Sequence, residues 1–141
     1  MARRSRAREV AFQILYQDDF NPEVAPASGE SLLRRRLRSP DLLEFARDLV
    51  AGVRRHRQRI DHVLQQTAAN WSLGRMAATD RNVLRLGAYE LLYADTPHRV
   101  AINEAVELAK RFGTAHSAQF VNGILDRLMH GAAETESKTQ E

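Results

Sequence analysis

The sequence predicts an all-α protein of seven helices, and three observations carry that expectation. Apolar residues recur at i, i+3, i+4 and i+7 along most of the chain, the spacing of a helix with one buried face. No stretch sustains the strict alternation of a half-buried strand. Boundary residues such as Ser39-Pro40-Asp41, Pro97 and Gly113 fall between the apolar stripes rather than inside them.

The elements follow in order. The first helix spans about 5–18, with a stripe of Ala7, Val10, Ala11, Ile14 and Leu15. Residues 21–29, containing Pro22, Pro26 and Gly29, read as a mobile loop. A short helix at 30–38 follows. Ser39 then caps a third helix, with Pro40 in its first turn and Asp41 near the positive end of its dipole. This helix presents Leu42, Ala46, Leu49, Val50 and Val53 to a core.

The basic stretch 54–59 contains a bend, after which Ile60, Val63, Leu64, Thr67 and Ala68 form the next stripe. Trp71-Ser72 closes that half and begins a single turn. Thr79 caps a helix reaching Tyr93 that is apolar almost all round, the pattern of a central helix. Asp95-Thr96-Pro97 turns the chain, Gly113 ends the following helix, and Ser117 caps the last one, to about His130. The expected domain is 1–130, with 131–141 a disordered polar tail.

A chain of 141 residues is long enough to bury a core without disulfide or metal, and it contains no cysteine. No apolar run approaches the roughly 20 residues of a membrane span, and the basic N-terminus lacks a signal peptide's continuous apolar region. A cytoplasmic protein is expected. Net charge is +3, but Glu134, Glu136 and Glu141 against Lys138 give the tail −2, leaving +5 on the body. The basic residues are 19 Arg and only 2 Lys. Arginine binds phosphate through two parallel bonds and stacks on bases, which suits nucleic acid; a GC-rich genome gives the same bias.

Enzyme chemistry finds no support. The five histidines (His56, His62, His98, His116 and His130) lack metal-ligand spacing, and there is no glycine-rich phosphate loop. Nothing assembles a nucleophile, a base and an orienting group. No cofactor or metal site is expected.

Nucleic-acid chemistry fits better. Arg3, Arg4, Arg6 and Arg8 precede the first acid, Glu9, at a helix start where positive charge is unfavourable unless an anion binds there. A basic arm without a ligand is the other reading. Tyr16 points opposite the first helix's stripe, with Phe12 and Gln13 on either side; these aromatics suit packing, a protein partner or a base. On the last helix Phe120 falls about 110° from the stripe's centre, beside His116 and Arg127, as a stacking site or the edge of the core. Glu90 lies in an apolar sector and reads as a structural carboxylate that needs a partner.

Two segments carry polar residues that amphipathicity does not require: 100–110 (VAINEAVELAK) and 120–126 (FVNGILD). With 8–16 (REVAFQILY), 45–52 (FARDLVAG) and 80–91 (DRNVLRLGAYEL), they stand in the order of one pattern between Arg3 and Met129. That pattern resembles the NusB family of bacterial antitermination factors. The resemblance implies two small helical bundles packed together. It implies a non-catalytic adaptor that binds boxA-type single-stranded RNA of ribosomal transcripts with NusE, a small-subunit ribosomal protein. Such a complex would join transcribing RNA polymerase and suppress premature termination.

By the same resemblance, the RNA candidates are Arg4, Arg6, Arg8, Gln13, Tyr16, Gln119, Phe120 and Asn122. The protein-partner candidates are Tyr16, Asp80, Arg81 and Arg85. Ser5 replaces a basic residue of many members, and the segment Thr114-Ala115-His116 lacks their acids, departures that oppose each other for phosphate. The sequence leaves the oligomeric state open: the first-helix aromatics suit a second copy of the chain, a possible homodimer, as well as they suit NusE. The rival readings are a protein-binding scaffold, the detached RNA-binding domain of a ribosomal RNA cytosine methyltransferase, and a helix-turn-helix DNA binder.

Overall fold

Hydrophobic periodicity becomes seven α-helices and one 3-10 turn in the computed structural model, which describes residues 3–21, 23 and 27–140, with side chains for 4–21, 23 and 27–131. Among the described residues there is no strand. The chain divides into two compact units, Met1–His56 and Arg57–Glu141.

The first unit holds α1 (Arg3–Asp18), α2 (Glu30–Arg36) and α3 (Pro40–Arg55), with α1 packed along α3 and α2 touching both. Ser39 precedes α3 and Pro40 opens it, as the boundary residues predict, although the Ser39 hydroxyl makes no capping bond. The end of α3 is tied to the end of α1 by Arg54, which donates to both oxygens of buried Asp18 at 2.8 and 2.9 Å and to the Ser28 carbonyl at 3.0 Å. The expected loop over 21–29 lies partly outside the described residues, including Pro22 and Pro26.

The second unit holds α4 (Arg57–Thr67), the 3-10 turn Leu73–Arg75, α5 (Ala78–Tyr93), α6 (His98–Phe112) and α7 (Ser117–Gln140). α5 is its central helix, packing on α4, α6 and α7 and burying Val83, Leu84, Leu86 and Ala88. Two polar groups inside it are matched. Arg85 donates to Asp61 of α4 at 2.8 and 3.1 Å and to Asn82 Oδ1 at 3.2 Å. Glu90, buried as a structural carboxylate should be, accepts a 2.8 Å bond from the Thr96 hydroxyl.

Two helix ends differ from expectation. α5 begins at Ala78 after Ala77, so Thr79 lies in its first turn rather than capping it. The backbone of α7 continues to Gln140, where the sequence reading places a disordered tail after His130. The alanines and glutamates after Gly131 are good helix formers and no proline interrupts them.

Candidate nucleic-acid interface

The first unit presents its charge at the start of α1. Arg4 is exposed, and its guanidinium stacks over the Phe45 ring of α3 at 4.5 Å from the centroid. Arg8, one turn on, reaches the same ring at 5.1 Å. Arg6 is half-buried and pairs with Glu9 at 3.2 Å. Of the expected RNA contacts here, Arg8 must be corrected: at 3 % exposure it is a packed group with little surface to offer a phosphate. Its long stem lets a charged residue enter the core while its head finds an aromatic face.

Further along α1, Gln13 and Tyr16 are half-buried, whereas Phe12 is buried rather than outward-facing. The apolar surface of α1 is thus wider than the stripe of one helix face, because α2 and α3 both pack against it. Phe12, Tyr16 and Phe20 form a ladder one turn apart, with ring centroids separated by 6.1 and 5.2 Å. Its outer rung, Phe20, is 64 % exposed.

The second unit contains a pocket of about 740 Å³, whose lining includes Gln65, Trp71, Arg75, Asp80, His116 and Phe120. Trp71 and Phe120 meet edge to face, centroids 5.4 Å apart at 76°. Trp71 is nonetheless 57 % exposed, an expensive placement for the largest aromatic side chain unless it has a use.

Its loop is held firmly. Gln65 donates to the Trp71 carbonyl at 2.9 Å and accepts from the Leu73 amide at 2.8 Å. Arg81 donates to the carbonyls of Leu73 and Met76 at 3.2 and 3.0 Å. On the opposite wall, Ser117 Oγ accepts from the Thr114 amide at 2.9 Å and fixes the entry to α7. That turn needs Gly113, since a Cβ there would lie 2.4 Å from Ser117 Oγ.

The pocket gathers some expected residues and separates others. Phe120, His116 and Asp80 come together, and Gln119 is exposed nearby in sequence. Asn122 instead lines a smaller groove of about 230 Å³ with Asn103, Arg99 and Asp126, since two residues turn a helix by roughly 200°. Among the expected partner contacts, Arg81 spends its guanidinium on the 71–76 loop. Arg85 must be corrected: it is 5 % exposed and engaged with Asp61 inside the unit.

Sequence reasoning missed Trp71, Gln65 and Arg75. The available signal was a lone tryptophan in the polar context Asn70-Trp71-Ser72, outside every apolar stripe. Among the described residues no cluster of His, Asp or Glu could hold a metal ion, and no helix is long and apolar enough to cross a membrane.

A model of the NusB family matches residues 5–130. Transcription antitermination protein NusB of Myxococcus xanthus is 46 % identical over 133 residues, covering 91 % of this chain and 95 % of that one. Its counterpart from Geobacter sulfurreducens is 45 % identical over 130 residues, covering 91 % and 94 %. Among solved structures, T. maritima NusB superposes with a TM-score of 0.81 at 38 % identity, covering 92 % of both chains. A structure of antitermination factors NusB and NusE in complex with dsRNA gives 0.83 at 28 % identity, covering 93 % of this chain and 99 % of that one.

Proposed function

Because the chain belongs to the NusB family, we propose that it is a transcription antitermination factor, and not an enzyme, that binds boxA-type single-stranded RNA of ribosomal transcripts together with NusE. The observation that carries the RNA reading is the accessible Trp71–Phe120 pair at a pocket flanked by Arg75 and His116. Aromatic faces held open to solvent beside cations suit unstacked bases, each stacked base contributing about 1–3 kcal/mol. Arg4 and Arg6 at the start of α1 supply phosphate contacts, Gln13 and Gln119 polar ones, and Asn122 a contact outside the aromatic pocket.

NusE docks on Tyr16 of α1 and the exposed Phe20 just beyond its end, the rungs of the aromatic ladder that remain available to a partner. A homodimer through the same rungs would compete with NusE for them. The RNA-bound pair acts in the cytoplasm, associating with transcribing RNA polymerase and suppressing premature termination. No cofactor takes part.

The test is fluorescence anisotropy of a labelled boxA-like single strand, titrated with and without NusE, against a scrambled strand and a duplex of the same sequence. Tighter binding with NusE, and weaker binding of the scrambled and duplex RNAs, is the expected result. NusE binding without RNA binding would make the protein a scaffold, and preference for duplex would overturn the single-strand reading. Arg4→Ala should make the salt dependence shallower by about 0.7 per lost phosphate contact. Arg8→Ala should leave that slope unchanged and lower stability instead. A slope altered only by the Arg8 substitution would refute the assignment.

A further inference from the structure

The end of α2 carries more charge than its fold requires. Four of the five residues 34–38 are arginines: Arg34, Arg35, Arg36 and Arg38. All four are exposed, while Leu33 and Leu37 beneath them are buried and hold the turn to the core. Arg35 stands about 200° around the helix from Leu33 and so points away from it. Elsewhere Arg6, Arg47, Arg54, Arg57 and Arg85 each hold a carboxylate. In this run only Arg34 does, donating to Glu30 at 3.1 Å. Among the described residues Arg35, Arg36 and Arg38 have no hydrogen bond or ion pair, and Asp41, the acid that follows them, makes none with them.

Helix stability does not account for the run. Positive charge is favourable in the last turn of a helix, which covers Arg35 and Arg36, but Arg38 follows the extended Leu37 and lies outside α2. Repulsion between such close like charges opposes even that gain. Nor does the run suit a protein interface, whose centre is apolar. The exposed large hydrophobic side chains among the described residues, Phe20, Trp71, Tyr93 and Val100, all lie elsewhere in the chain.

We propose that residues 34–38 form a second, sequence-independent RNA contact, holding the phosphodiester backbone of nucleotides that flank the specifically bound segment. Three free guanidinium forks match the geometry of phosphate and are weakly hydrated. With no aromatic side chain among them they offer no face for a base, so they read charge and not sequence. The patch is separate from Arg4. Arg4 lies over Phe45 of α3, whereas α2 is tied to α3 through Arg47, two residues and about 200° further round. The two basic sites therefore flank α3, whose width is about 10 Å, and a strand held at Arg4 meets α2 only by continuing past its recognised segment. The proposal rests on the RNA-binding reading above and adds a dependence on strand length to it.

The full-length protein is titrated by anisotropy with a labelled boxA-like strand and with the same strand extended at both ends by oligouridine. The extended strand should bind tighter, with a salt slope steeper by about 2 for three added phosphate contacts. Its advantage should then shrink roughly 20-fold between about 50 and 200 mM salt. Oligocytidine extensions should give the same gain. The triple substitution Arg35→Gln, Arg36→Gln and Arg38→Gln, which keeps good helix formers at exposed positions, should leave short-strand binding and circular dichroism unchanged and abolish the gain. Equal affinity for short and extended strands, or a gain that survives the triple substitution, overturns the second contact while leaving RNA binding in place. A gain confined to one extension sequence overturns the backbone assignment. Loss of short-strand binding by the folded triple variant overturns the separation of the two sites. No binding of either strand by the native protein overturns both readings.

Discussion

The Asp61–Arg85 pair makes an asymmetric prediction that separates a core ion pair from a surface contact. The Arg85 side chain is 6 % exposed and that of Asp61 is 28 % exposed, with two short bonds between them. Asp61→Ala strips both charge-assisted bonds from a guanidinium that water hardly reaches, and breaking a buried pair this way costs about 3–5 kcal/mol. Arg85→Met keeps most of the stem's volume. It leaves a carboxylate that water reaches and that also has Arg57 Nε at 3.8 Å, so about 1–2 kcal/mol is expected.

The difference, on the order of 2 kcal/mol, corresponds to roughly 4–8 °C in midpoint for a chain of this size. Urea and thermal unfolding followed by Trp71 emission measure it, because Trp71 lies in the same unit as the pair. Arg85→Met costing as much as Asp61→Ala would refute the reasoning. Loss of NusE binding by a folded Arg85→Met protein would return Arg85 to the partner surface.

Two other predictions concern stability. Gly87→Ala should destabilise by about 1–3 kcal/mol despite the higher helix propensity of alanine, because its Cβ would lie 2.6 Å from Leu125 Cδ1 and 3.3 Å from the Ala105 Cβ; a stabilised variant in urea unfolding would show that α7 yields easily. Glu30 accepts from Arg47 and from Arg34, and the Arg47 hydrogen bond, more than either neighbouring charge, lowers its pKa against the opposing effect of burial. A carboxyl lowered on folding contributes stability above its unfolded pKa and loses it as pH falls through the folded value. The stability gap between the native protein and Glu30→Gln should therefore be present at neutral pH and close below about pH 4; a gap independent of pH would remove the ion pair from the account.

Helix positions were legible because each helix buries a face of regular period, and Pro40 and Gly113 mark boundaries that local chemistry sets. Depth was not. Periodicity assigns Phe12 and Arg85 to faces but does not say that another helix covers them, and both are buried. Arg8 looks like Arg4 in sequence and, one turn on, lies over the same Phe45 ring of α3, yet Arg8 is buried where Arg4, nearer the start of the helix, is exposed. The aromatic pocket was half legible. Phe120 falls off its helix's stripe, whereas Trp71 reaches it from a loop held by Gln65 and Arg81, bonds that no local pattern announces.

The stacking of Arg4 on Phe45 has a consequence for speed as well as strength. A free arginine samples many rotamers, and ordering it on a ligand costs up to about 2 kcal/mol of entropy. Resting on the ring, Arg4 has already surrendered part of that freedom during folding. Fewer encounters with a phosphate should then fail for want of a correctly extended side chain. Replacing Phe45 by leucine would return that freedom to Arg4 without changing the charge of the surface.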